Sequence, residues 1–133
     1  MKSSKFVAVL AAIAIVVLAG QPIFAQKAFL KKIKELYPDI KKEIANCSLC
    51  HTFDKEKKEH PTKKNLNLYG KDLQAAPEAK IALDQKDEDE HKFTDDELKA
   101  IEAAIKAIAG KDSNGNGKTN EEDIKAGVNP GVK

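Results

Sequence analysis

The residues best able to do chemistry lie in one run, Cys47-Ser48-Leu49-Cys50-His51. Two thiols one turn apart reach the two vinyl groups of a single porphyrin. A histidine beside the second thiol then lies under the ring, where its imidazole binds the iron axially. The pattern points to one covalent haem, held by thioethers at Cys47 and Cys50 with His51 as the proximal ligand. Three other chemistries use similar residues. A thioredoxin-like dithiol sits beside a βαβ unit, and no segment here shows the alternation of a strand. A structural zinc site takes four ligands, which Cys47, Cys50, His51 and either His60 or His91 would supply. A plain disulfide between Cys47 and Cys50 closes too small a loop to restrain much of the unfolded chain.

The other axial position decides what such an iron does. Thioether ligation by methionine is excluded once the leader described below is removed, because the only methionine is Met1. His91 stands 40 residues after His51, just ahead of Thr94, and is the first candidate. His60, nine residues after His51 and next to Pro61, would have to loop round the haem edge and is the second. An open or lysine-ligated iron is the third. Two strong ligands suit electron transfer, whereas an open site binds NO, CO or another small molecule.

A second constellation begins at Asp112. The run Asp112-Ser113-Asn114-Gly115-Asn116-Gly117 follows the calcium-loop pattern D-x-[DN]-x-[DN]-G. Asp112, Asn114 and Asn116 offer side-chain oxygens at loop positions 1, 3 and 5. Lys118 offers its backbone carbonyl, Asn120 holds position 9, and Gly117 permits the sharp turn. Position 12 is Asp123, as in dockerin-type loops, where an EF-hand has glutamate. The shorter acid and the two neutral amides predict a single, weak Ca²⁺ site. The alternative is a Gly/Asn-rich turn that needs no ion.

These residues need elements to hold them. Phe29, Leu30, Ile33, Leu36, Tyr37, Ile40 and Ile44 recur at helical spacing. Pro38 interrupts them, predicting a kink or two successive helices, the second over residues 39–46 and leading into the cysteines. Residues 52–68 read as a lysine-rich loop. A short helix or turn around Gly70 and another over 75–83 follow, then an acidic solvated loop over 84–90. The clearest helix spans 95–109. Thr94 and Glu97 form a capping box, Leu98, Ile101, Ile105 and Ile108 make one apolar stripe, and Gly110 ends it. The expected fold class is all-α.

Composition narrows the function. Met1 to Lys5 is basic, Phe6 to Gly20 is unbrokenly apolar, and Ala25 precedes a plausible cut before Gln26. That is the layout of a secretory signal peptide over residues 1–25, and its apolar core is short of the about 20 residues that span a bilayer. Residues 26–133 then form one small exported domain with no membrane attachment. Lys2 and Lys5 leave with the leader, after which 21 lysines face 21 acids. The chain contains no arginine, the preferred residue for phosphate recognition, so nucleic acid is not an expected partner. Export and haem agree, because c-type haem is attached outside the cytoplasm. A buried porphyrin also adds apolar surface to a domain with little core of its own.

With these pieces in place, the chain resembles class I cytochromes c, in which an N-terminal and a C-terminal amphipathic helix cross and frame the haem. The helix over Phe29 to Pro38, the CSLCH motif, the Leu66-Asn67-Leu68-Tyr69-Gly70 run and the calcium-type loop over 112–123 together resemble small mono-haem cytochromes c of planctomycetes, including anammox bacteria. The resemblance covers most of residues 29–131. It implies class I-like helices around one covalent haem, with an EF-hand or dockerin-like loop at the C-terminal end. It places the distal ligand before the C-terminal helix, where His91 stands. The family's usual methionine is missing here. So is the cysteine that some anammox cytochromes use, since Cys47 and Cys50 are the only two.

The expected function is electron transfer between redox partner proteins in a periplasm or an anammoxosome-type lumen. Small-gas binding is the alternative, and a dimer with itself or with another small cytochrome stays open. No acid–base pair marks an enzyme. Lys55, Lys57, Lys58, Lys63 and Lys64 form either a steering surface for an acidic partner or an ordinary solvated loop.

Overall fold

The computed structural model describes residues 24–52, 62–83 and 92–133. Among the described residues five α-helices follow one another: α1 (Phe24–Leu36), α2 (Leu68–Ala75), α3 (Ala79–Leu83), α4 (Asp95–Ala109) and α5 (Asn120–Ala126). Two 3-10 turns, Cys47–Leu49 and Lys63–Asn65, complete the regular structure of the described residues. Among the described residues there is no strand, only an isolated antiparallel bridge between His51 and Leu66. The fold is all-α. The expected signal peptide falls largely on residues 1–23, outside the described residues, and α1 starts two residues before the expected cut. Among the described residues no helix is long and apolar enough to cross a membrane.

Helix α4 is the hub, and α1, α2, α3 and α5 all pack against it. Its start is fixed by the box expected from sequence. The Thr94 N–H donates to Glu97 Oε2 at 2.7 Å, and the Glu97 N–H donates to Thr94 Oγ1 at 3.3 Å. Three acids occupy its first turn, where the helix dipole favours them. Ile101, Ile105 and Ile108 are at most 1% exposed, so each contributes about 1.5–3 kcal/mol of burial. Ala100 and Ala104 fill the stripe between them, while Leu98 is only half-buried. Phe29 and Ile33 of α1, Tyr69 and Leu73 of α2, Ala79 of α3 and Ile124 of α5 meet the same core. Lys32 ties α1 to α4 at the surface, reaching Glu35 at 2.8 Å and Glu102 at 3.7 Å.

The second helix expected over residues 39–46 does not form. Pro38 lacks an N–H and turns Tyr37 away from helical geometry, so α1 stops at Leu36. The chain descends through single turns, with the Ile40 N–H donating to the Tyr37 carbonyl and the Ile44 N–H to the Lys41 carbonyl. Ile44 still enters the core, and its i, i+4 spacing from Ile40 is what mimicked a helix. The short helices around Gly70 and over 75–83 are present as α2 and α3. They part at Ala76, extended ahead of Pro77. The acidic stretch 84–90 lies outside the described residues. Helix α5 was not expected. A capping box announces it, with the Thr119 N–H donating to Glu122 Oε2 at 2.7 Å and the Glu122 N–H to Thr119 Oγ1 at 3.3 Å.

Candidate haem-attachment site and calcium-type loop

Cys47, Cys50 and His51 share one turn. The Cys50 and His51 N–H groups both donate to the Cys47 carbonyl, at 3.3 and 3.0 Å. Asn46 caps this turn through its Oδ1, which accepts from the Ser48 N–H at 2.9 Å and the Ser48 hydroxyl at 2.7 Å. Cys47 is exposed and Cys50 partly buried, so one thiol faces outward and the other inward. Burial pushes the Cys50 thiol up to about 12, with Cys47 adding to the effect. A thiol held protonated is poorly suited to thiol–disulfide exchange, which needs a thiolate. Tyr69, 1% exposed, lies in the field of Cys50 and Tyr37, and burial raises its phenol well above the ordinary range.

Two remote segments grip this turn. Asn67 donates its Nδ2 to the Ser48 and Leu49 carbonyls at 3.0 and 2.9 Å, while its Oδ1 accepts the Gly70 N–H at 2.9 Å and so caps α2. Asn129 donates its Nδ2 to the Ser48 carbonyl at 2.7 Å, bringing the C-terminal segment onto the motif. Residues 65–67 run antiparallel to 50–52, with the Asn67 N–H on the Cys50 carbonyl at 2.9 Å and the Thr52 N–H on the Asn65 carbonyl at 2.7 Å. His51 is held in this short ladder, 8% exposed, with Nδ1 3.2 Å from Asn65 Oδ1.

No family model, no curated protein and no solved structure matches the chain. Its chemistry rests on the residues themselves. The donor set fits a covalent haem: two thiols and an imidazole on one turn, with the imidazole already held at one nitrogen. Both distal candidates, His60 and His91, lie outside the described residues, as do Lys55, Lys57 and Lys58 of the lysine stretch. Lys64 is exposed. The residues that sequence reasoning missed are asparagines 46, 65, 67 and 129. Only the N-cap position of Asn67 ahead of Gly70 carried a readable signal.

In the calcium-type loop, side chains converge on Asp123, which is 1% exposed. Its oxygens accept from Asn114 Nδ2 at 3.0 Å and from Asn116 Nδ2 at 2.9 and 3.0 Å. Asp112 receives the Gly115, Asn116 and Gly117 N–H groups at 2.7–3.1 Å. Gly117 takes φ 85°, the sharp turn expected of it. The Lys118 N–H donates to Asn116 Oδ1 at 2.8 Å. Asn120 stands apart from this group, since its Nδ2 donates to the Ile108 carbonyl at 2.8 Å and its Oδ1 accepts the Ser113 N–H at 3.1 Å. Among the described residues no three His, Cys, Asp or Glu side chains gather at one point. The loop's oxygen donors are two carboxylates and neutral amides.

Proposed function

We propose that the protein is an exported mono-haem c-type cytochrome that carries electrons between redox partner proteins. The observation that carries this reading is the attachment turn. Cys47 and Cys50 lie on one turn with His51, whose Nδ1 meets Asn65 Oδ1 at 3.2 Å, so that Nε2 would be the nitrogen to ligate iron. The haem, when bound, supplies one-electron chemistry at its iron. Cys47 and Cys50 would tether it and His51 would ligate it, on a turn held by the Asn46, Asn67 and Asn129 bonds. His91, or failing it His60, would complete the ligand set. The packing of α1 against α4 supports this reading, since the resemblance implies an N-terminal and a C-terminal helix in contact.

The test is a visible spectrum of the purified holoprotein, oxidised and dithionite-reduced, before and after CO. Sharp low-spin bands indifferent to CO are expected, because two firm ligands leave no site free. A high-spin spectrum, or one that CO shifts readily, transfers the assignment to small-gas binding. The absence of any haem spectrum sinks both.

We also propose one Ca²⁺ at the 112–123 loop, ligated by Asp112, Asn114, Asn116, the Lys118 carbonyl and Asp123. The support is Asp123. A carboxylate buried this deeply is costly unless positive charge offsets it, yet among the described residues it meets only amide N–H groups. Saturating Ca²⁺ is expected to stabilise the holoprotein by about 1–3 kcal/mol, and Asp123→Asn to abolish the response. A melting temperature and a haem potential that both ignore Ca²⁺ and EDTA would leave the loop as a self-bonded turn.

A further inference from the structure

The tautomer of the iron-ligating histidine can be deduced from a neighbour. Asn65 Oδ1 lies 2.7 Å from the backbone nitrogen of Thr62, where it closes the capping box of the Lys63–Asn65 turn. A backbone N–H only donates, so the atom it meets is the amide oxygen. That same oxygen lies 3.2 Å from His51 Nδ1. An amide oxygen only accepts, so Nδ1 carries the hydrogen and Nε2 keeps its lone pair. The bond is framed on both sides. The Thr52 N–H donates to the Asn65 carbonyl at 2.7 Å, and His51 bridges to Leu66. Backbone and side chain of Asn65 therefore both address the His51–Thr52 pair.

We propose that Asn65 is the positioning residue of His51: its amide oxygen selects the Nδ1–H tautomer, orients the ring and sets how strongly the imidazole donates to iron. The inference rests on the haem reading above. Second-shell acceptors tune a ligating histidine by drawing on its other N–H, and a carboxylate draws harder than an amide. A neutral acceptor at this place gives a moderately basic imidazole. It leaves the reduced iron better favoured than a carboxylate would.

The experiment compares native holoprotein with Asn65→Asp, Asn65→Ala and Lys64→Glu. Two quantities are read: the midpoint potential, and the exchange rate of the His51 Nδ1–H in the reduced protein. Asn65→Asp keeps an acceptor for both Thr62 and His51, adds charge, and is expected to lower the potential. Lys64→Glu changes charge more at an exposed neighbouring position without touching the ring, and is expected to lower it less. Asn65→Ala is expected to raise the potential and to speed Nδ1–H exchange roughly tenfold, the factor that a hydrogen bond worth about 1.4 kcal/mol corresponds to. Asn65→Asp moving the potential no further than Lys64→Glu would reduce Asn65 to a turn cap. So would Asn65→Ala leaving exchange unchanged. If Asn65→Ala fails to fold, the pair of charged variants decides alone. A native preparation without haem overturns the functional reading instead. Ring-nitrogen shifts of His51 in that full chain then report the tautomer, and an Nε2–H ring overturns the role given to Asn65.

Discussion

Replacing Gly70 by alanine is expected to destabilise the holoprotein by on the order of 3 kcal/mol, which lowers its melting temperature by roughly 10–20 °C. Gly70 lies in the first turn of α2, directly against the attachment turn. A Cβ there would collide with the Cys50 carbonyl oxygen and would stand 3.0 Å from its carbonyl carbon and 2.9 Å from Leu66 Cδ2. The obstacle is backbone, not the end of a flexible side chain, so relief must come from moving Cys50 or the start of α2. Either movement strains the bond from the Asn67 N–H to the Cys50 carbonyl and displaces Cys50, one of the two proposed haem anchors. On the proposed haem attachment, the yield of covalent haem should therefore fall along with stability. Gly110→Ala is the control. Its φ is −81° and nothing lies within 4 Å of the added carbon, so the change should be neutral or stabilise by up to about 1 kcal/mol. A Gly70→Ala protein melting within about 2 °C of native, less than 1 kcal/mol is worth in a domain of this size, would refute the close packing of α2 on the turn carrying Cys47, Cys50 and His51.

How far the sequence displayed this arrangement depends on how local each signal is. Helix α4 was legible because everything that makes it lies within its own residues: the Thr94–Glu97 box, an apolar stripe and a glycine stop. The end of α1 was legible because Pro38 acts on its immediate neighbours. Residues 39–46 misled because Ile40 and Ile44 have helical spacing, yet two turns can bury Ile44 as well as a helix can. Helix α5 carries the same local box as α4. It was overlooked because the calcium-type pattern already claimed the residues up to Asp123. That Cys47, Cys50 and His51 share one turn was legible in their spacing, but the support of that turn was not. Asparagine reads as a turn or cap residue, and nothing near Asn67 or Asn129 reveals partners 18 or 81 residues away. Those asparagines make the structural case that the turn carrying Cys47, Cys50 and His51 is clamped by two remote segments.

Asn67 tests that clamp most severely. Asn67→Ala is expected to cost about 3 kcal/mol, the sum of a lost helix cap and of buried groups left without partners. Asn129 still covers the Ser48 carbonyl, so the Leu49 carbonyl and the Gly70 N–H bear the loss. Asn67→Asp separates the two duties. Aspartate caps a helix as well as asparagine does, so the Gly70 N–H keeps its acceptor. The other oxygen, however, now faces the Leu49 and Ser48 carbonyls where an NH₂ group stood, and a 5%-exposed site screens that repulsion poorly. If capping were the whole role of Asn67, the aspartate variant would match native. If the residue clamps the motif, that variant is at least as unstable as the alanine one. It also acquires a pH dependence of definite sign. Folding disfavours the charged carboxylate and raises its pKa above the unfolded value, so the protonated form, which can donate to one carbonyl, is the better tolerated. The deficit should shrink as pH falls below about 5 and grow to its full size near neutrality. Thermal melts of the native protein and both variants across that range read the result directly. A pH-independent, native-like Asn67→Asp would mean that the turn carrying Cys47, Cys50 and His51 holds its shape without α2.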